Sequence, residues 1–106
     1  MSMDIKETLR NNLTALCRYH FETEAIPIND LKRRSGVSVA SISRIKEAQT
    51  SVGLDILEKL APVFGLQAWH LLVPGLDPSN PPVAHITEAE RILYTRIKRA
   101  MAEEKQ

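Results

Sequence analysis

Four side chains fall on one side of a short predicted helix, and three of them can donate hydrogen bonds or permit a close approach. At about 100° per residue, the outward face holds Ala40, Ser43, Arg44 and Glu47. Ile42 and Ile45 fall on the opposite face, where we expect them to pack on Leu31 and Val37. Small outward side chains and a single arginine suit insertion into a DNA groove.

Two short helices joined by a turn would position that face. They are predicted over residues 28–35 and 39 to about 48, with Gly36 in the turn. A glycine just past a helix end reaches the left-handed conformation without a Cβ clash, so Gly36 can end the first helix. Ser38 is the predicted N-cap of the second helix, because its hydroxyl can accept a hydrogen bond from a backbone N–H two or three residues later.

This segment resembles the helix-turn-helix of the phage repressor and Cro family, also called the XRE family. The resemblance covers residues 5–74, and its most specific part is Gly36-Val-Ser-Val-Ala-Ser-Ile-Ser-Arg-Ile45. It implies an all-α fold, a five-helix lambda-repressor-like DNA-binding domain over residues 1–74, with the motif at 28–46. It also implies a sequence-specific transcriptional regulator, a small Cro/C1-type prophage repressor that binds double-stranded DNA at a pseudo-palindromic operator as a homodimer.

The resemblance also assigns roles to single residues. Base edges would be read by Val39, Ala40, Ser43 and Arg44. The DNA backbone would be contacted by Lys32, Ser38, Ser41, Lys46 and Thr50. Arg44 carries the sharpest expectation, since an arginine can donate two parallel hydrogen bonds to guanine O6 and N7 and discriminate by ~1–3 kcal/mol against a wrong base. Val39 and Ala40 offer only apolar contacts, so specificity would depend mainly on Ser43 and Arg44.

Three residues depart from the family pattern. Lys32 stands where alanine is common, at the closest approach of the two helices, so we expect its stem to run past the crossing and its ammonium to reach solvent or a phosphate. Ile28 stands where a phosphate-binding glutamine is common, which removes that contact. Glu47 would repel phosphates, so we expect it just beyond the groove.

Positive charge is concentrated in the motif. The formal net charge of the 106 residues is only +1. The segment 28–51, however, carries the five cations Lys32, Arg33, Arg34, Arg44 and Lys46 against the two acids Asp30 and Glu47. Such asymmetry attracts phosphates and makes binding depend on salt, although a charged run can equally be a solvated face.

The composition allows one modest core with a short appendage. Hydrophobic residues make up 43% of the chain and aromatic residues 5%, so aliphatic side chains must fill most of that core. The start of the chain lacks a secretory pattern, and no apolar run approaches the roughly 20 residues that a membrane crossing needs. We therefore expect a cytoplasmic protein without a membrane partner.

The first helix is predicted over residues 5 to about 20. Asp4 as N-cap and Glu7 form a capping-box pattern at its start. Its inward stripe comprises Ile5, Leu9, Leu13 and Leu16. Cys17 lies beside that stripe and is the single cysteine, which excludes an intrachain disulfide and a multi-cysteine zinc site. We expect it to be a small packed hydrophobe.

Two further helices would close over the motif. One covers residues 54–61, with an inward stripe of Leu54, Leu57, Leu60 and Ala61. Pro62 should kink or end it before Gly65, since proline lacks an N–H and crowds the preceding turn. The fifth helix is predicted over residues 67–73, with Trp69 packed on the core and its N–H given to a carbonyl or to water.

The remaining residues are predicted to form a linker and an amphipathic helix. Prolines and turn formers mark 75–86 as the linker, and a capping box at Thr87 opens a helix over 87–106. Its apolar face comprises Ala89, Ile92, Leu93, Ile97, Ala100 and Met101. That face needs a cover, either the core of the same chain or the same helix of a second chain, because under three heptads a free-standing coiled coil is marginal.

Other chemistries find little support. The histidines His20, His70 and His85 are dispersed without metal-ligand spacing. Asp55 and Glu58 share a face, but no nucleophile or glycine-rich loop accompanies them. We expect no enzyme, metal or cofactor. The alternative is an antitoxin or adaptor-type protein-interaction module that uses the C-terminal helix and binds DNA weakly or not at all. Ile28 and the near-neutral net charge keep it open.

Overall fold

The computed structural model of the protein describes residues 4–83 together with Arg96, Arg99 and Ala100. Residues 4–83 contain the α-helices α1 (Ile5–Phe21), α2 (Ile28–Ser35), α3 (Val39–Glu47) and α4 (Leu54–Leu60). Two 3₁₀ turns follow, the first over Ala61–Phe64 and the second over Ala68–Leu72. The described residues contain no strand. The all-α class is therefore confirmed, whereas a 3₁₀ turn stands where we predicted a fifth α-helix.

Helix α1 is capped at both ends. Asp4 Oδ1 accepts a hydrogen bond from the Lys6 backbone N–H at 2.8 Å, which confirms Asp4 as the N-cap. That hydrogen bond favours the ionised carboxylate, and it lowers the pKa of Asp4. At the other end Glu22 adopts the left-handed conformation at φ 57°, and its N–H is donated to the Arg18 carbonyl. The helix thus runs one residue beyond the predicted end.

One buried core joins the helices and both 3₁₀ turns. Its largest fully buried side chains are Leu13, Leu16, Leu31, Ile42, Ile45, Leu60 and Leu71. Leu31 and Val37 are buried in the same cluster as Ile42 and Ile45, so the predicted shared core of the two short helices is confirmed. Burying one such side chain stabilises the fold by about 1.5–3 kcal/mol relative to leaving it in water.

The turn between α2 and α3 has the predicted geometry. Gly36 lies in the left-handed region at φ 79°, and its N–H is donated to the Lys32 carbonyl at 2.8 Å. Ser38 caps α3, because its Oγ accepts the Ser41 backbone N–H at 3.2 Å. Ser35 adds a contact that the sequence did not single out, since its Oγ accepts the Val37 N–H at 3.1 Å. Local hydrogen bonds thus fix where α3 begins.

Proline ends α4 as expected. The helix stops at Leu60, and Pro62 lies in the first 3₁₀ turn, which ends before Gly65 at φ 71°. Leu57, Leu60 and Ala61 are buried as predicted.

Three predicted core residues are exposed instead. Ile5 is 58% exposed and Leu54 is 75% exposed, since each is the first residue of its helix and lines an open hollow rather than facing a covering element. Trp69 is 38% exposed and donates its N–H to Gln67 Oε1 at 3.2 Å. The tighter winding of a 3₁₀ turn changes which side chain faces inward, so Leu71 is buried in place of Trp69.

A buried amide ties the second 3₁₀ turn to α1. Asn12 is 3% exposed, and its Nδ2 donates to the Leu71 and Val73 carbonyls, both at 2.8 Å. Carbonyls at the end of a short helical turn lack partners within it. The Asn12 side-chain amide donates a hydrogen bond to each of these two carbonyls. The sequence pattern did not reveal this role.

The chain beyond residue 74 begins by packing on the core. Leu76 is buried, and His70 Nε2 lies 2.7 Å from the Pro82 carbonyl oxygen. The predicted C-terminal helix lies outside the described residues except at Arg96, Arg99 and Ala100, which have helical backbone and exposed side chains. The division into domain, linker and helix stays a prediction.

No helix within the described part of the chain has the length and hydrophobicity that crossing a bilayer requires.

Replacing Asn12 with alanine should destabilise the fold. The Leu71 carbonyl would lose its donor, and a buried group left unsatisfied costs about 1–3 kcal/mol. The Val73 carbonyl would lose one donor and keep the Leu76 N–H. Urea denaturation should show a lower midpoint with the same slope. Asn29→Ala, at an exposed position of α2, is the control and should change the free energy of unfolding by less than about 0.5 kcal/mol. Equal effects of the two substitutions would contradict this assignment.

Ser38→Ala should lower the free energy of unfolding by about 1 kcal/mol, because the N-cap hydrogen bond to α3 is lost. Thermal unfolding followed by circular dichroism measures the change. Ser38→Asn is the matched control, since asparagine also caps well and should stay close to the parent. A stable alanine variant would mean that α3 does not depend on this cap.

Candidate nucleic-acid interface

Helix α3 presents one outward face between two flanks. Successive residues on a helix are about 100° apart, so Val39, Ala40, Ser43, Arg44 and Glu47 share the side opposite the buried Ile42 and Ile45. Val39, Ala40 and Arg44 are exposed, and Ser43 is half-buried. The structure thus brings the four predicted base-reading residues to one face.

The predicted backbone-contacting residues surround that face. Lys46 on one flank of α3 is exposed, and Ser41 on the other flank is half-buried. Lys32 is exposed near the end of α2, as we expected from its position at the helix crossing. Thr50 is exposed just after α3. The predicted residues therefore include cations at the edges and small side chains in the centre.

The two serines at the start of α3 differ in what they can offer a ligand. Ser38 Oγ accepts the Ser41 N–H and donates its own proton to Ser41 Oγ at 3.1 Å. Its proton is therefore already used within the protein. Ser41 Oγ accepts that bond and keeps its own proton, so Ser41 is the better hydroxyl donor toward a phosphate oxygen.

The cations of the motif fall into two groups. Asp30 forms ion pairs with both Arg33 and Arg34, the latter with 3.1 Å between Nε and Oδ2. The hydrogen bond from Arg34 is the main cause that lowers the pKa of Asp30. Arg34 also lies over the Phe21 ring, 4.7 Å from its centroid. These contacts hold Arg33 and Arg34 to the protein's own groups.

The other three motif cations, Lys32, Arg44 and Lys46, form no ion pair with any described residue and are exposed. Their charge is available to a ligand. Glu47 is also exposed, at the C-terminal end of the outward face. The available positive charge thus lies beside and within the outward face of α3.

Helix α3 ends without a glycine. Ala48 adopts the left-handed conformation at φ 58°, and its N–H is donated to the Arg44 and Ile45 carbonyls. A non-glycine residue in this conformation is strained. No sequence signal marked this position.

Away from this face, the described histidines and the cysteine make packing and ring contacts. Cys17 is fully buried, which confirms that it is a packed side chain, and burial raises the pKa of its thiol to about 12. His20 and His70 make ring contacts with Tyr19 and Trp69, and His85 lies outside the described residues. Within those residues no three His, Cys, Asp or Glu side chains are placed to hold a metal ion.

Comparison with known proteins places the fold. No protein-family model matches the chain, and no curated protein matches its sequence. Among solved structures, the chain is similar to the crystal structure of a repressor from a Salmonella-temperate phage, with a TM-score of 0.62 and 21% sequence identity. The match covers 95% of this chain and 98% of that chain. This protein therefore has a phage repressor-like fold, and the helices of its described part account for that fold.

Proposed function

We propose that this protein is a sequence-specific DNA-binding transcriptional regulator of the repressor type. The single observation that carries the proposal is the outward face of α3, where small exposed side chains and Arg44 project between unpaired cations. A surface of this composition fits the major groove, which admits an α-helix and displays a distinct hydrogen-bonding pattern for each base pair. The likeness to a phage repressor supports the same function.

Arg44 has the freedom that base reading needs. It is exposed, and no described acid neutralises it. Arginine donors have a fork geometry that matches guanine O6 and N7, whereas an arginine already bound to a carboxylate would first have to give up that bond. Arg33 and Arg34 are bound in that way to Asp30. Arg44 is therefore the residue that we assign to base recognition.

Lys32, Lys46 and the Ser41 hydroxyl supply contacts to the sugar-phosphate backbone. Such contacts fix the position and orientation of a protein on the duplex without reading the sequence. Lys32 is on α2 and Lys46 is on α3, so the two cations attach both helices of the motif to the DNA backbone. The aliphatic Ile28 is half-buried at the start of α2 and leaves the anchoring to these groups.

Two copies bind a pseudo-palindromic operator. Helix-turn-helix dimers place their recognition helices in successive major grooves about 34–36 Å apart. The bound dimer acts at a promoter by occlusion or by recruitment of other factors. Repression is favoured because the protein of similar fold is a repressor.

Selection from a random duplex library followed by a salt series tests this function. Lys32 and Lys46 of two copies would neutralise four phosphates and should give a log–log salt slope of roughly −3.6. The expected product is an enriched palindrome with half-sites one helical turn apart. A library without enrichment, and a slope near zero, would contradict the proposal and favour a protein-interaction module such as an antitoxin or adaptor.

Arg44→Ala should weaken binding to the selected operator by ~1–3 kcal/mol and relax the base preference at one position of each half-site. The fold should be unaffected because the side chain is exposed. Lys46→Ala is the matched comparison, since loss of a phosphate contact weakens binding about equally on all sequences. Repeated selection with each variant measures the difference. An unchanged preference in the Arg44 variant would remove Arg44 from base reading.

A further inference from the structure

An open apolar surface lies outside the proposed DNA-binding face. Two adjoining hollows, of about 120 Å³ and about 360 Å³, share Leu54, Leu57 and Leu72 in their walls. We call this surface the apolar groove. Ile5 lines one hollow and Trp69 lines the other. None of the nine residues that we assign to DNA contact lines either of them.

The composition of the apolar groove is unusual for a surface that meets only water. Leu54 is the most exposed large hydrophobic residue of the described chain, and Ile5 and Trp69 stand beside it. Single exposed hydrophobic residues are common, but a contiguous apolar patch marks an interaction site. Covering Leu54 alone would favour association roughly ten- to hundredfold.

The chain leaves its described part at one end of the apolar groove. His70 Nδ1 accepts the Gln67 N–H at 3.0 Å, so Nε2 carries the proton and donates to the Pro82 carbonyl at 2.7 Å. The His70 ring stacks on Trp69 with 3.9 Å between ring centroids. Pro82, next to the last residue of the continuous described range, therefore lies on the Trp69 side of the groove.

The apolar stripe predicted for the C-terminal segment, residues 84–106, is chemically complementary to the apolar groove. This stripe spans residues 89–101, and a helix over 87–101 would be about 22 Å long. Ala100 belongs to the stripe, and it is exposed in the single chain. The groove of the same chain is open as well. A segment folded back within one chain would bury both surfaces.

We propose that the apolar groove receives the C-terminal segment of a second copy of this chain, and that the exchange is reciprocal. A two-fold arrangement lets each copy give one segment and receive one, which closes the assembly at two chains. This inference rests on the proposed function only for the expectation of a dimer. It adds the surface that forms the dimer and leaves α3 of both copies free for DNA.

Sedimentation equilibrium without DNA tests the surface. The parent chain should be a dimer, and Leu54→Ser and Ile5→Ser should each raise the dimer dissociation constant about tenfold or more. Tyr19→Ser is the matched control, since Tyr19 is 54% exposed and lines neither hollow. Thermal unfolding of the diluted Leu54 variant should match the diluted parent. A monomeric parent chain, or a dimer insensitive to both substitutions, would overturn the proposal.

Disulfide trapping identifies the occupant. One chain carrying Leu54→Cys is mixed with another carrying Ala100→Cys and treated with a mild oxidant. The expected product is a disulfide between the two chains, to which the buried Cys17 does not contribute. A chain carrying both substitutions that forms its disulfide only internally would show folding back and would overturn the exchange.

The experiments distinguish failure of the proposed DNA-binding function from failure of the proposed dimer surface. A dimer that depends on the apolar groove but enriches no DNA sequence would remove the proposed function and keep this surface. A chain that binds a palindrome as a dimer insensitive to groove substitutions would keep the function and remove this inference.

Discussion

The packing of α2 against α3 is the constraint on which the candidate interface depends. Neither helix exceeds nine residues, and isolated helices that short are unstable in water. Each gains stability from apolar side chains that its neighbours cover, and Leu31, Val37, Ile42 and Ile45 are buried in one cluster. The turn at Gly36 sets the angle at which those side chains meet. The outward direction of Arg44 is thus a consequence of what is buried behind it.

Electrostatics refines the same surface. The sequence alone shows five cations in the motif and does not distinguish which of them are available to a ligand. The structure divides them, because Asp30 lies one helical turn before Arg33 and Arg34 and binds both. The charge left for a ligand is therefore smaller and more localised than the count suggests. Its location, beside small side chains on α3, favours a groove over a flat acidic surface.

Local sequence signals predicted the helices and the turns between them well. Contacts between distant parts of the chain determined which side chains are covered, and the sequence pattern did not show them. The left-handed Gly36, the Ser38 cap and the break at Pro62 each follow from one residue's backbone chemistry. Periodicity cannot show whether anything covers a face, so Ile5 and Leu54 were wrongly expected in the core. The amide of Asn12 reaches carbonyls 59 and 61 residues away, and no local pattern contains that contact. The roles of single residues toward DNA stay predictions.

The end of α3 has a consequence for the reach of the interface. Ala48 holds a conformation that costs an L-residue roughly 1–2 kcal/mol, and such strain persists only where the surroundings over-determine it. Its N–H is donated to the carbonyl of Ile45, whose side chain is anchored in the core. The direction in which the chain leaves the helix, and with it the position of Thr50, is thus imposed from inside the protein. The exposed position of Thr50 thus depends on a buried isoleucine five residues earlier.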